Sequence, residues 1–425
     1  MEILPQTAQE KVLPIIAACP ACGLLCDDIF IDNSQANIRV LANSCAKSIR
    51  FFEQPIGNIS PQINGKPATL QQAISYAAEL LKASEKPLFA GLSTDVQGYR
   101  AVYNLAQKIN QKNNCAYQSR LQHMNSQSMA RNMAVLQSTG WQTTTLTEVK
   151  NRADVIVCIG TDIVSQNPRF FERFVWLNNQ NSNAMFTDAH ARQIIYIGEH
   201  LNINAGVSPD GRQPTSIDCR NADLPEILAV LRALMAGKKL KAQTVAGINI
   251  GDLIAVADKL KQAKYAVLAW IAKDLDFAHA ELSIQSITET VALLNNQDNN
   301  QTGRAAGLSL GGSDGDTSAN NANTWLSGYS LNNQQNAHDL VVWVNSFSPE
   351  KLPEKTDKPL IVLGNANTKF AQIPDLFIPI ATPGLDCSGT LFRVDSAVVL
   401  PLKKVRENNF ATLNDVARQI EALLS

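Results

Sequence analysis

Charge is scarce in this 425-residue chain. Asp, Glu, Lys and Arg make up only 18% of it and the formal net charge is −1. No basic run exceeds a couple of residues, which leaves nucleic-acid binding and attachment to anionic membranes without electrostatic support. No apolar run approaches the roughly 18 residues of a membrane span. The early "KVLPIIAA" is broken by Pro14 and flanked by Glu10, which argues against an export signal. No G-x-S-x-G elbow or Walker loop is present, and His190, His200, His279 and His338 form no metal-ligand spacing.

Apolar residues reach 45%, enough for more than one core, and the length suits two or three domains. Asn and Gln supply much of the polar surface, as in "LLNNQDNNQTG". The eight cysteines are not spread as in a disulfide scaffold. Four lie near the start, Cys19, Cys22 and Cys26 in "CPACGLLC" and Cys45 in "NSCAKS", and this clustering points to a reducing cytoplasm. Three thiols on one tight loop, closed by a fourth across a hairpin, suit a [4Fe–4S] cluster or a structural zinc ion. The second C-x2-C of a zinc ribbon is missing. A folded but empty site, with the cysteines as small buried apolar residues, is the remaining alternative.

Periodicity divides the chain into blocks. Residues 1–60 hold the cysteines and a hairpin, "IFIDNSQANIRV", with Asn33-Ser34 at its turn. From "TLQQAISYAAELLKAS" and "KPLFAGLS" onward, helical and buried-strand patterns alternate, which predicts parallel sheets with helices on their faces. A third block opens at "RADVIVCIGTD". It continues through "PRFFERFVWLN", read as a helix, and "NAMFTD" and "QIIYIG", read as strands. The last block opens at "KYAVLAW" and includes a Gly-rich stretch, "GRAAGLSLGGSDGD", read as a loop. The expected organisation is an N-terminal module over 1–60, a discontinuous α/β unit over 61–148 and 262–425, and an inserted α/β unit over 149–261.

The pattern "CPACGLLCDDI" followed by "CAK" resembles the N-terminal module of molybdopterin-type oxidoreductases, in particular the B subunit of formylmethanofuran dehydrogenase. "TLTEVKNRADVIVCIGTD", "NPRFFERF" and "PDLFIPIATPGLDCSGTLFRVD" are similar to later segments of that family in the same order, so the resemblance runs along nearly the whole chain. It implies a molybdopterin-oxidoreductase-like α/β fold, with the cysteine module, two doubly wound units and no C-terminal β-barrel. It also implies a [4Fe–4S] cluster on Cys19, Cys22, Cys26 and Cys45, with Lys47 between cluster and pterin. The family's tungsten or molybdenum is held by a cysteine or selenocysteine before a His-Gly-Pro turn. Here the matching window, "RLQHMNSQSMARNMAVLQSTGWQTT", has neither, and an ungapped count places the ligand near Ser128. Cys115 falls too early. A hydroxyl is far harder to ionise than a thiol, so a soft metal loses its ligand; His123 in the same window reads as polar surface or packing.

"HMNSQSMARNMAVLQSTGWQTTTL" and "GRAAGLSLGGSDGDTSANNANTWLSGY" resemble a bacterial branch of the family, the B subunit of the formyltransferase/hydrolase complex of methylotrophs. That resemblance implies a non-redox scaffold role beside deformylase (A), C and formyltransferase (D) subunits and a methanofuran-type carrier. Molybdopterin and its metal would then be absent. The alternative is a catalytic dehydrogenase subunit.

Other residues are weighed on their chemistry. Asp27 and Asp28 read as loop and cap residues, with Lys47 as a partner if no pterin is bound. Arg169 and Arg173, one helical turn apart, could together hold a carboxylate-rich ligand, or simply form a solvated helix face. Gly303, Gly307, Gly311 and Gly312 could let backbone amides approach an anion, with Arg304 adding charge. Arg393 in "GTLFRVD" is a candidate for site or interface structure.

Overall fold

The computed structural model describes residues 14–35, 37–113, 121–177, 184–296, 303–331 and 337–424. The cysteine module opens with a three-stranded antiparallel sheet, Ile15–Ala17, Ile29–Asp32 and Arg39–Ala42, followed by the helix Ala46–Phe52. The hairpin falls where alternation placed it, with Ile31 opposite Val40 and Asp32 opposite Arg39. The Asp32 carboxylate accepts from the Ser34 amide and holds the turn.

A seven-stranded sheet has the order Lys66–Pro67, Gln62–Ile63, Leu376–Pro379, Leu360–Gly364, Leu340–Asn345, Pro87–Ser93, Leu121–His123. Its last five strands are parallel, and the short hairpin at 62–67 adds antiparallel at one edge. Along Leu340–Asn345 the pleat sends Leu340, Val342 and Val344 into a core with the helices Leu70–Ala83, Val96–Asn113 and Leu413–Leu423, while Val341 turns to the other face with Phe377. Thr69 and Thr412 start two of these helices, each hydroxyl accepting from an amide in the first turn, a contact worth about 1 kcal/mol.

The second sheet is wholly parallel, in the order Thr215–Asp218, Gln193–Gly198, Val155–Ile159, Tyr265–Ile271, Arg304–Leu310. Both faces are covered. Val155, Val157 and Ile159 pack with the helices Leu224–Met235, Ile250–Gln262 and Glu281–Asn295. Ile156 and Cys158 face the opposite way, in one cluster with Cys19, Cys22, Cys26 and Phe170. The cysteine module therefore rests on one face of this sheet. Among the described residues, no helix is long and apolar enough to cross a membrane.

Strand pairing moves one expected boundary. Tyr265–Ile271 and Arg304–Leu310 belong to the second sheet, so the chain rejoins the first sheet after Leu310, and not at 262. An apolar strand between helices carries no mark of which sheet it will join. "NAMFTD" is not a strand in its described part, where Met185 and Phe186 are exposed. "PRFFERFVWLN" forms a short π-helix, Phe171–Val175, instead of a regular helix. The Gly-rich stretch is not one loop: Arg304–Leu310 is a buried strand, and Gly307 sits in it because a Cβ there would lie 3.0 Å from the Trp270 ring.

Candidate functional site at the carboxyl ends of the strands

The cysteine loop hangs between Ile15–Ala17 and Ile29–Asp32. The Cys19 amide donates to the Cys26 carbonyl at 2.8 Å and the Leu25 amide to that of Cys22 at 3.2 Å. Leu25 takes a left-handed conformation, φ 45°, to make the turn. Gly23 is required by contact: a Cβ would sit 2.6 Å from the Gly311 carbonyl oxygen and 2.8 Å from the Gly312 Cα. The loop is thus pressed against the turn that ends strand Arg304–Leu310. Cys45 precedes the helix Ala46–Phe52, and its amide donates to the buried Ser48 hydroxyl.

Cys19, Cys22 and Cys26 are buried, and each lies in the electrostatic field of other members of the quartet. Burial pushes the Cys19 thiol well up, helped by Cys22, Cys26 and Cys45. Burial raises Cys26 to about 12 against the pull of Arg173 and Arg169. Burial also raises Cys22, with Lys47 and an Asn167 hydrogen bond among the opposing influences. Lys47 acts on Cys22, and Arg169 and Arg173 act on Cys26, so cations stand beside thiols of the type an iron–sulfur cluster takes as donors. Among the described residues, no three His, Cys, Asp or Glu side chains are arranged to hold a single metal ion.

Arg169 and Arg173 do not form a solvated face. Arg169 is 3% exposed. Its two terminal nitrogens donate to the two oxygens of Asp28 at 2.7 and 2.8 Å, and it also binds Glu172. Arg173 donates to Asp27 at 2.6 Å. The carboxylates these arginines hold are the chain's own, because the turn before Phe171–Val175 packs directly over the cysteine loop. Burial alone would raise the Asp28 carboxyl, but the hydrogen bonds and charges of Arg169 and Arg173 hold it below its usual range. Lys47 pairs with neither aspartate and donates to the Gln166 carbonyl at 2.7 Å. Asn167 exchanges two hydrogen bonds with the Gly311 backbone.

Ser128 lies in the first turn of the helix Ser126–Ser138, and its hydroxyl donates to the Asn125 carbonyl at 2.9 Å. Beside it the space shrinks to about 60 Å³, lined in part by Met129, Asn132, Gly311 and Lys273. No described cysteine lines this space; Cys115 lies outside the described residues. The space beside Ser128 therefore offers a hydroxyl and no described thiolate. His123 is fully buried packing: its Nδ1 accepts from the Asn125 amide, so Nε2 carries the proton toward the Asp314 carbonyl.

The space widens above this point into a cleft of about 780 Å³. The cysteine loop supplies Pro20 and Ala21 to its wall, and Lys47 and Arg50 come from the following helix. Lys273, Lys351 and Lys369 come from loops that follow strands of both sheets. Asp314 accepts from Ser348 and from Lys351. This is where ligands of open parallel sheets collect, and its wall carries the acidic Glu53, Asp314 and Glu350 beside these cations. Lys273, Lys351, Lys369 and Arg50 had no motif to mark them; their common signal was a place just past a strand end or in the helix behind Cys45.

Two expected site residues lie elsewhere. Gly303 and Arg304 stand at the opposite, amino end of their strand, and a Cβ on Gly303 would lie 2.3 Å from the Ala263 carbonyl oxygen, so that glycine answers to packing. Arg393 binds Asp395, whose carboxylate accepts from the Leu146 amide at 2.9 Å. It secures the start of the helix Leu146–Arg152 and does not face the cleft.

No protein-family model matches the chain. The B subunit of the tungsten-containing formylmethanofuran dehydrogenase 2 of Methanococcus maripaludis is 23% identical over 447 aligned positions, covering 93% of this chain and 95% of that one. The B subunit of the formyltransferase/hydrolase complex of Methylorubrum extorquens is 34% identical over 98 residues, 23% of this chain and 25% of that one. In structure, a chain of that complex, solved with methylofuran, superposes with a TM-score of 0.65 at 19% identity, covering 86% of this chain and 98% of that one. Acetylene hydratase from Pelobacter acetylenicus gives 0.60 at 10% identity, covering 96% of this chain and 69% of that one. The chain is a distant homologue of the formylmethanofuran dehydrogenase B subunit across nearly its whole length, and of the formyltransferase/hydrolase complex B subunit over a shorter stretch.

Proposed function

We propose that the chain is a non-redox B subunit of a formyltransferase/hydrolase complex in tetrahydromethanopterin- and methanofuran-linked one-carbon metabolism. It would support formyl transfer to the carrier and release of formate, chemistry carried out by the formyltransferase and deformylase subunits, with a C subunit completing a cytoplasmic assembly. The observation that carries this reading lies near Ser128, where an ungapped count places the family's metal ligand: the Ser128 hydroxyl is committed to its own helix, beside a space of about 60 Å³ that no described cysteine lines. We read the two parallel sheets as doubly wound units, the quartet as holder of a [4Fe–4S] cluster, and the cleft beside the cysteine loop as a place where the carrier's acidic part docks.

The full-length likeness to a tungsten-containing dehydrogenase subunit favours one second reading, a catalytic redox subunit. Purifying the tagged chain with its native partners separates the two. The scaffold reading expects deformylase and formyltransferase chains and formyl-carrier hydrolysis, without tungsten or molybdenum. Stoichiometric tungsten or molybdenum would overturn it.

A further inference from the structure

A cleft of about 1110 Å³ opens at the amino ends of strands Tyr265–Ile271 and Arg304–Leu310, the end opposite to the site above. Arg152, Lys264 and Arg304 line it, against one carboxylate, Glu148. That carboxylate is taken by Arg152 at 2.6 Å. Asp154, at the start of the neighbouring strand, spends both oxygens on the backbone amides of Lys264 and Tyr265, at 2.8 and 2.9 Å. Among the described residues, neither the Lys264 ammonium nor the Arg304 guanidinium meets a carboxylate. These two cations sit at adjoining strand starts, the Arg304 amide donating to the Lys264 carbonyl. Exposed Phe186 closes one side, with the Arg152 guanidinium 4.1 Å over its ring.

Unpaired cations in a concave site focus the field on whatever enters it, and the volume is that of a small-molecule site. The chain is not basic overall, with a net charge of −1, so this local excess is not a by-product of composition. We propose that the cleft binds a small polyanion, a phosphate ester or a polycarboxylate, through Lys264 and Arg304. The inference is independent of the role assigned to the chain above.

Calorimetric titration of the purified protein, in whatever complex it forms, tests this with pyrophosphate and citrate as probes at low salt. Saturable binding of at least one probe is expected, weakened tenfold or more by Arg304→Gln and by Lys264→Gln and weakened as salt rises. The tighter probe identifies the anion class. Both side chains are exposed, and an unchanged melting temperature for each variant separates lost binding from lost fold. Absence of heat with either probe at millimolar concentration overturns the proposal, as does binding that the two substitutions leave unchanged.

Discussion

Arg169 grips Asp28 with both terminal nitrogens, at 2.7 and 2.8 Å, from a position only 3% exposed. The pair joins the cysteine loop to the turn that follows the helix Ile163–Gln166, and it places a guanidinium beside Cys26. Removing one partner leaves the other to a second ion pair, Glu172 for Arg169 and Arg173 for Asp28, so Arg169→Met or Asp28→Ala is expected to cost about 1–3 kcal/mol, measured by chemical denaturation. A loss below 1 kcal/mol would show that the pair is incidental.

Gly23 meets Gly312 backbone to backbone. Gly23→Ala forces a Cβ into the Gly311 carbonyl and should cost about 1–3 kcal/mol as overpacking. Melting of the variant checks this, and an unchanged melting point would mean that the loop can move aside freely.

His123 predicts a pH dependence. Burial holds its folded pKa below the usual value against the pull of Asp316 and Asp314, so the unfolded chain takes up a proton that the folded chain refuses. Stability is therefore full above the unfolded value of about 6.5 and falls as pH drops below it, by at most about 1.4 kcal/mol per pH unit. Denaturant titrations between pH 5 and 7, roughly spanning that value, should show this slope, and His123→Gln should flatten it. An identical profile in the variant would count against the assignment.

Much of this was legible from residue patterns, and the failures have physical causes. Apolar periodicity located Leu70–Ala83, Pro87–Ser93 and Tyr265–Ile271, because each buries a continuous face. It could not say that Tyr265–Ile271 joins Val155–Ile159, since sheet membership is decided by pairing. Glycines misled at Gly303 and Gly307, where they answer to close packing and not to a loop. Arg169 and Arg173 were visible as a helical pair, but their partners Asp27 and Asp28 lie over 140 residues away.

Ser128→Cys should leave the metal content unchanged, because the thiol would enter a space of about 60 Å³. Elemental analysis of the variant checks this, and newly bound tungsten or molybdenum would show that only the ligand had been lost.

If the quartet holds a [4Fe–4S] cluster, an anaerobic preparation carries about four irons per chain, and Cys22→Ser lowers that number. An iron-free, colourless preparation would make the cysteines part of the core and nothing more.

The place proposed for this chain is in a hydrolase and transferase assembly, without redox chemistry of its own. Elemental analysis of the native complex, paired with a dye-linked assay of formyl-carrier oxidation, decides the matter. Formyl-carrier hydrolysis is expected, with no tungsten, no molybdenum and no dye reduction. One tungsten or molybdenum per chain together with dye reduction would contradict it.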